Sequence, residues 1–431
     1  MTPGQQSQDD PTPASNRGPG QLSPGAPPLP REVVALGWVS FFTDAASDMI
    51  YPLLPLFLIQ LGGGAEALGW IEGVAEAVSA GVKLFAGRAV DRAGDKKRLV
   101  AVGYAVAALS RPLYALATTP VHAVFVRALD RVGKGLRGPP RDAILAGAAP
   151  PESRGRAFGF HRMMDNLGGV AGPLVAFALL RFARLPLRTV FALSLGPGLV
   201  SVAIVLLAVR RDAPTAPTGK AGAAPDLGAG PKGALSRGAI GYFAALGVFS
   251  LAASGDIFLV RRLSDLGLDA SLIPFAWLSL QLMKSALNMA GGRASDRFGR
   301  RRVLVLAWAI YAASYVAFGL APSWPIAWAV LGLYALHYGL AEGGQRALVA
   351  EIVPLEARGR AFGVQLAVEG IMVLPANVVF GAVYDRIGPE AAFLGAAAIA
   401  ALGALALALA PIKIGGSEAQ QSTEKDAAEA E

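Results

Sequence analysis

The chain has 431 residues, of which 54% are hydrophobic and 16% charged, with a mean hydropathy of +0.47; this is too apolar for a soluble globular protein and suits a bilayer. A formal net charge of +8 does not imply nucleic acid, because the cations cluster in short loops beside apolar runs, where they act as topology signals. No cysteine is present, which excludes disulfides and thiolate chemistry, and the three scattered histidines, His122, His161 and His337, form no metal set.

Residues 1–32 are rich in Pro, Gly, Ser and Gln without an apolar period and read as a disordered tail. They lack the basic start, apolar core and small-residue cleavage site of a signal peptide, so the first span is expected to direct insertion itself. From there, runs of about 20 apolar residues, the length that crosses a hydrocarbon core, alternate with short polar breaks. Twelve spans are predicted: 33–60, 66–90, 98–118, 120–146, 156–181 and 188–209, then 238–260, 271–292, 302–321, 325–350, 359–384 and 389–411. The Pro-, Gly- and Ala-rich stretch 210–237 reads as a linker between a bundle at 33–209 and one at 238–411, and residues 412–431 as a polar tail.

Internal repetition supports the two halves. Gly87-Arg88-Ala89-Val90-Asp91-Arg92-Ala93-Gly94 returns as Gly292-Arg293-Ala294-Ser295-Asp296-Arg297-Phe298-Gly299, 205 residues later. Arg154-Gly155-Arg156-Ala157-Phe158-Gly159 returns 204 residues later as Arg358-Gly359-Arg360-Ala361-Phe362-Gly363. A shared offset marks a duplicated multi-helix unit.

Lys and Arg cluster in alternate loops: Arg92 to Arg98, Arg137 to Arg156, Arg210 and Arg211, Arg297 to Arg302, and Arg358 with Arg360. Those loops and both termini are therefore expected to be cytoplasmic. Arg181, Arg184, Arg188, Arg261 and Arg262 go against this pattern.

Two halves of six spans, each with Gly-x-x-x-Asp-Arg-x-Gly and a basic cluster after its second span, resemble the major facilitator superfamily of secondary transporters. The resemblance implies an all-α membrane fold of two six-helix bundles about an axis along the membrane normal, rocking around a midplane cavity. It also implies a cytoplasmic latch, in which Asp91 faces the start of span eleven near Arg360 and Asp296 the start of span five near Arg156. Gly87 and Gly292 would allow close approach, with Arg92 and Arg297 beside them. Gly168, Gly172 and Pro173 in span five match part of a motif found in the superfamily's antiporters; a generic tight helix pair is an equal reading.

Ionisable groups inside spans are costly and so are functional candidates. Asp44 and Asp48 in span one, Glu72 and Glu76 in span two, and Arg127, Asp130 and Arg131 in span four recur at helical spacings and are the candidates for proton coupling. Phe41, Lys83, Asp256, Gln281, Lys284, His337, Glu342 and Glu369 are candidates for a substrate cavity. His161, Arg162 and Asp165 lie together just inside span five. Fixed salt bridges are the structural alternative for these groups.

No HExxH, GxSxG or clustered histidine points to an enzyme, and no cofactor or metal is predicted. The expected protein is a monomeric, multi-pass transporter in a prokaryotic inner membrane, exchanging a small organic solute for protons. Proton-driven import on the same fold and a transport-inactive receptor are the alternatives. Its expected partners are the solute, protons and the bilayer, with no nucleic acid.

Overall fold

A computed structural model describes residues 28–92, 96–150, 153–210, 237–353 and 357–412. Among these the chain is helical, with no strand. Helix α1 (Arg31–Asp48) is followed by a short 3-10 turn and α2 (Leu54–Gln60), and then by α3 (Ala65–Arg92). Next come α4 (Lys96–Ser110), which ends in a 3-10 stretch (Arg111–Leu116), α5 (Pro120–Ala148), α6 (Arg154–Arg181), α7 (Leu187–Leu193) and α8 (Leu195–Ala208). The second half contains α9 (Arg237–Ala252), α10 (Ile257–Asp265), α11 (Ile273–Phe298), α12 (Arg300–Leu320), α13 (Trp324–Ile352), α14 (Arg358–Arg386) and α15 (Pro389–Leu409).

Among the described residues, eight helical stretches are long and apolar enough to cross a bilayer: Arg31–Gln60, Lys96–Leu116, Arg156–Arg181, Leu187–Ala208, Arg237–Asp265, Arg300–Leu320, Ala361–Arg386 and Pro389–Leu409. Helices α3, α5 and α11 have the length, at 28, 29 and 26 residues, but carry more charge. At 1.5 Å per residue even 26 residues reach about 39 Å, more than a hydrocarbon core. The outward surface is correspondingly greasy, with Leu116, Val121, Phe125, Phe182, Leu207 and Leu409 all exposed and Leu207 as much as 85% so. In lipid such residues face solvent of their own kind.

Three predicted spans are interrupted. The first breaks at 49–53, where Pro52 has no N–H to donate to a helix; the sixth hinges at Ser194; and the seventh unwinds at Ala253 to Asp256 around Ser254 and Gly255. These breaks put backbone groups and side chains at mid-depth that an unbroken helix would have kept to itself.

Without a hydrophobic drive between helices, packing in lipid rests on close backbone contact. Gly168 and Gly172 of α6 supply it, because a Cβ on either would run into the carbonyl oxygen of Phe41 or Ala45 on α1. Gly168 and Gly172 thus pack α6 flush against α1. Gly172→Val, which meets backbone rather than a movable side chain, is expected to cost about 1–3 kcal/mol, measurable as a lower unfolding midpoint in detergent; an unchanged midpoint would remove α1–α6 contact as its role.

The duplication is visible in three dimensions. Lys97 at the start of α4 donates to the Leu206 carbonyl at the end of α8 at 2.8 Å, and 204 residues on, Arg301 at the start of α12 donates to the carbonyls of Leu407, Ala408 and Ala410 at the end of α15. Three of the five cations that break the loop pattern have partners at the opposite end of the helices. Arg188 donates to Ala115 O, and Arg262, buried, donates to Phe318, Gly319 and Ala321 carbonyls, while Arg261 pairs with Asp265 at 2.9 Å. Arg188 and Arg262 satisfy the orphan carbonyls of helix C-termini, which explains cations on that side without reference to topology.

Helices α3 and α14 run antiparallel and join the two halves. A Cβ on Gly381 would strike the Ala65 carbonyl, and one on Gly69 the Asn377 carbonyl. Toward the other end the pair separates: a Cβ on Gly370 would only just touch Ala80 at 4.0 Å, and one on Gly81 would meet nothing within 4 Å. We call the tight end, with the 61–64 and 387–388 connections, the far end, and the opposite one, with the basic hinges, the near end.

Candidate functional site

Three clusters of polar side chains lie between the helices. The first is a charge-balanced chain of three arginines and three carboxylates on α3, α5 and the 3-10 stretch after α4, with Arg131 extending it to Glu76. Arg111 donates to Asp130 Oδ1 and to the Thr43 carbonyl, each at 2.9 Å. Asp130 also lies 3.9 Å from Arg127, one turn back on α5, and Arg127 pairs with Glu72 at 3.3 Å. Tyr51 donates to Glu72 Oε2 at 2.9 Å, and its ring carries the Arg127 guanidinium 4.5 Å from the centroid. Arg131 pairs with Glu76 at 3.4 Å. Glu72, Arg111, Arg127 and Asp130 are each 5% exposed or less, whereas the Glu76 side chain is 45% exposed. Burying ions this deep is tolerable only because each has its counter-ion and hydrogen bonds.

The first cluster ends at the second half of the chain. The Tyr51 ring meets Trp277 of α11 edge-on at 4.9 Å, and a Cβ on Gly255 would stand 3.5 Å from Glu72 Cγ.

The second cluster surrounds the break between α9 and α10. Lys284 pairs with Asp256, Tyr334 donates to the other Asp256 oxygen at 2.5 Å, and the ammonium lies 5.1 and 4.3 Å from the ring centroids of Tyr334 and Tyr338. Ser254 and Tyr315 share a hydrogen bond at 2.7 Å, and Gly255 N–H donates to Asn377 Oδ1 at 2.8 Å. The unwound stretch thus has its freed groups satisfied by side chains, as lipid depth demands. At offsets of 204 or 205 residues the two clusters are counterparts with different chemistry: Arg111, Asp130 and Lys134 correspond to Tyr315, Tyr334 and Tyr338, and Glu72 and Glu76 to Trp277 and Gln281. Ions in the first half stand where rings, hydroxyls and an amide stand in the second.

In the third cluster Asp44 on α1 lies beside Asp165 on α6, Ser40 donates to Asp165, and Arg162 lies 3.5 Å from it. Asp48 faces the α6 backbone, 3.1 Å from where a Gly169 Cβ would stand. Lys134 is exposed.

Of the predicted residues, Glu72, Glu76, Arg127, Asp130 and Arg131 share the first cluster and Asp256 with Lys284 the second. Phe41 packs edge-on against Trp38 and Phe42. His337 is 7% exposed, with Nδ1 2.7 Å from the Ala307 carbonyl oxygen and its ring against Phe249 and Tyr311 and, at 5.9 Å, against Tyr334 at the edge of the second cluster. Glu369 accepts from Gln365 at 3.0 Å, and Gln281 and Glu342 lie half-buried on α11 and α13. The side chains of Lys83, Gly87, Asp91, Arg92, Gly292, Asp296 and Arg360 lie outside the described residues; Arg156 and Arg297 are exposed. Sequence reasoning missed Arg111, Tyr51, Ser40, Tyr334, Tyr338 and Asn377. Arg111 carried a usable signal, a cation inside a predicted span; the tyrosines could be found only through the repeat offset.

Helices able to cross a bilayer, with ionised groups gathered between them and apolar ones turned outward, define a multi-pass membrane transporter of a solute. The Major Facilitator Superfamily model matches residues 36–279 and 239–430, and the chain belongs to that superfamily. It is 26% identical over 385 residues to an uncharacterized MFS-type transporter of Methanocaldococcus jannaschii, covering 88% of this chain and 94% of the relative. A shorter stretch of 135 residues, 31% of this chain and 33% of the relative, is 34% identical to the multidrug resistance protein MdtH of Photorhabdus laumondii. Among solved structures it superposes on a bacterial homolog of the human lysosomal transporter Spinster with a TM-score of 0.70 at 16% identity, covering 88% of this chain and 96% of that one. The nucleoside transporter NupG gives a TM-score of 0.67 at 15% identity, covering 88% and 98%.

Proposed function

We propose that the chain is a proton-coupled exporter of small organic solutes, with twelve spans in two six-helix bundles at 33–209 and 238–411, joined by the 210–237 linker. In this reading it works as a monomer in a prokaryotic inner membrane, with both termini cytoplasmic and the near end facing the cytoplasm. Separation of α3 from α14 toward that end leaves Glu76, its side chain 45% exposed, within reach of cytoplasmic water.

The observation that carries proton coupling is the contact between Asp44 and Asp165. Two neighbouring carboxyls away from bulk water favour holding one proton between them, since two bare carboxylates would repel. Rocking of the two bundles would change which side's water reaches the pair, and so load and release that proton. The second cluster supplies the solute wall, with the rings of Tyr334, Tyr338 and Trp277 and the Asp256–Lys284 pair. Export is favoured over import by the MdtH-like stretch.

The test uses purified protein in liposomes with trapped pyranine. A thermal-shift screen of organic probes, beginning with ethidium, benzoate and uridine, first finds a solute that binds. Loading that solute on one side is then expected to drive protons the opposite way. Proton movement in the same direction as the solute would replace export with import, and no proton movement would remove the coupling.

A further inference from the structure

We propose that residues 381–388 are a third copy of the Gly-x-x-x-Asp-Arg-x-Gly hinge, and that this copy is the latch holding the far end shut. Gly381-Ala382-Val383-Tyr384-Asp385-Arg386-Ile387-Gly388 repeats the spacing of Gly87 to Gly94 and Gly292 to Gly299, but at the end of α14, where the loop is on the opposite side from the two basic hinges. The inference rests on the alternating-access reading of the fold and not on the identity of the solute or the coupling ion.

Every element of this copy has an observed task. Gly381 lets α14 lie flush against the Ala65 carbonyl. Asp385 accepts from Ala65 N–H at 2.8 Å and from Glu66 N–H at 2.7 Å, one carboxylate oxygen to each. These are the first donors of α3, which have no carbonyl partner within their own helix, and they lie at the positive end of its dipole. Arg386 pairs with Glu66 at 3.1 Å. Gly388 has φ +133°, a conformation other residues rarely adopt, and Gly299, which closes the second copy, likewise has φ +89°. An acid from one half of the chain thus caps a helix of the other half, at the end where the two are in tight contact.

The same helix pair has the reciprocal parts at its near end: Asp91 closes α3, and α14 begins there with Arg358. The far-end geometry supplies the pattern for what Asp91 does when the near end closes, with an α3 acid on the α14 N-terminus in place of an α14 acid on the α3 N-terminus. Only one of the two caps can be engaged if α3 and α14 pivot about their close contact, where a Cβ on Gly69 would strike the Asn377 carbonyl and one on Gly73 would crowd Leu374. The pair is then a rocker with a lock at either end.

The absence of native cysteine allows a direct test. Spin labels at Gln60→Cys and Glu390→Cys, both exposed, report the distance across the far end by double electron–electron resonance in nanodiscs. Asp385→Ala is expected to raise the long-distance fraction roughly fivefold, the shift that loss of a helix cap brings. Asp385→Asn, which keeps an acceptor, should raise it less. Should the alanine variant fail to fold, Asp385→Asn and Arg386→Ala carry the test. Distance distributions of these variants that superimpose on the unsubstituted one would overturn the latch, leaving Asp385 a fixed structural cap. Because the readout is a distance and not a flux, failure of proton coupling leaves this result untouched.

Discussion

Arg127→Leu is expected to abolish transport and to lower stability by about 3–5 kcal/mol, the range for breaking a buried ion pair by removing one partner. Arg127 lies between Glu72 and Asp130, and both carboxylates sit in a region almost closed to water. Asp130 retains Arg111, but Glu72 keeps only the Tyr51 hydroxyl and becomes a buried charge without a counter-ion. The double variant Arg127→Leu with Glu72→Gln removes that charge while leaving Tyr51 a hydrogen-bond partner. Its unfolding midpoint should return close to that of the unsubstituted protein, and its transport should stay lost. Transport recovered along with stability would reduce the first cluster to a set of structural salt bridges.

The second large effect concerns protons. Asp44→Asn and Asp165→Asn are each expected to cut solute-driven proton movement at least about tenfold while solute-for-solute exchange continues, since exchange needs no net proton transfer. An amide fits where the carboxyl stood and can donate to a neighbouring carboxylate, so the stability cost should stay below about 1 kcal/mol. This split between exchange and coupled flux is what a merely structural hydrogen bond between α1 and α6 would not produce. Pyranine fluorescence read in parallel with labelled-solute counterflow gives both quantities on one preparation, and unchanged coupling in both variants would move the proton site elsewhere.

Most of the helices were legible in the sequence, because an apolar run of bilayer length has no other stable use. The repeat was legible for a related reason: a short polar hinge stands out between such runs, and its offset of 204 or 205 residues reappears as the matching caps made by Lys97 and Arg301. The interruptions at 49–53 and 253–256 were hidden, since Pro52 and Gly255 are compatible with a membrane helix and only neighbours such as Asn377 stabilise the broken form. The first cluster was largely readable from helical spacing on α3 and α5. Partners arriving from other helices were less so: Arg111 stood out as a cation inside a predicted span, but that it meets Asp130, and that Ser40 meets Asp165, became visible only when the helices were placed. The third hinge was overlooked because its loop is not basic; the motif's glycines and aspartate were separable from its cations.

Alternating access requires one surface between the two halves that opens to each side of the membrane in turn. Ala80→Cys is suited to test it, since that position is exposed on α3 where the helix parts from α14. A membrane-impermeant maleimide applied to whole cells and, separately, to inverted vesicles should label this thiol from both faces, and Asp385→Ala should speed labelling from the outer face while slowing it from the inner. Labelling from one face alone, unaffected by that substitution or by bound solute, would contradict alternating access.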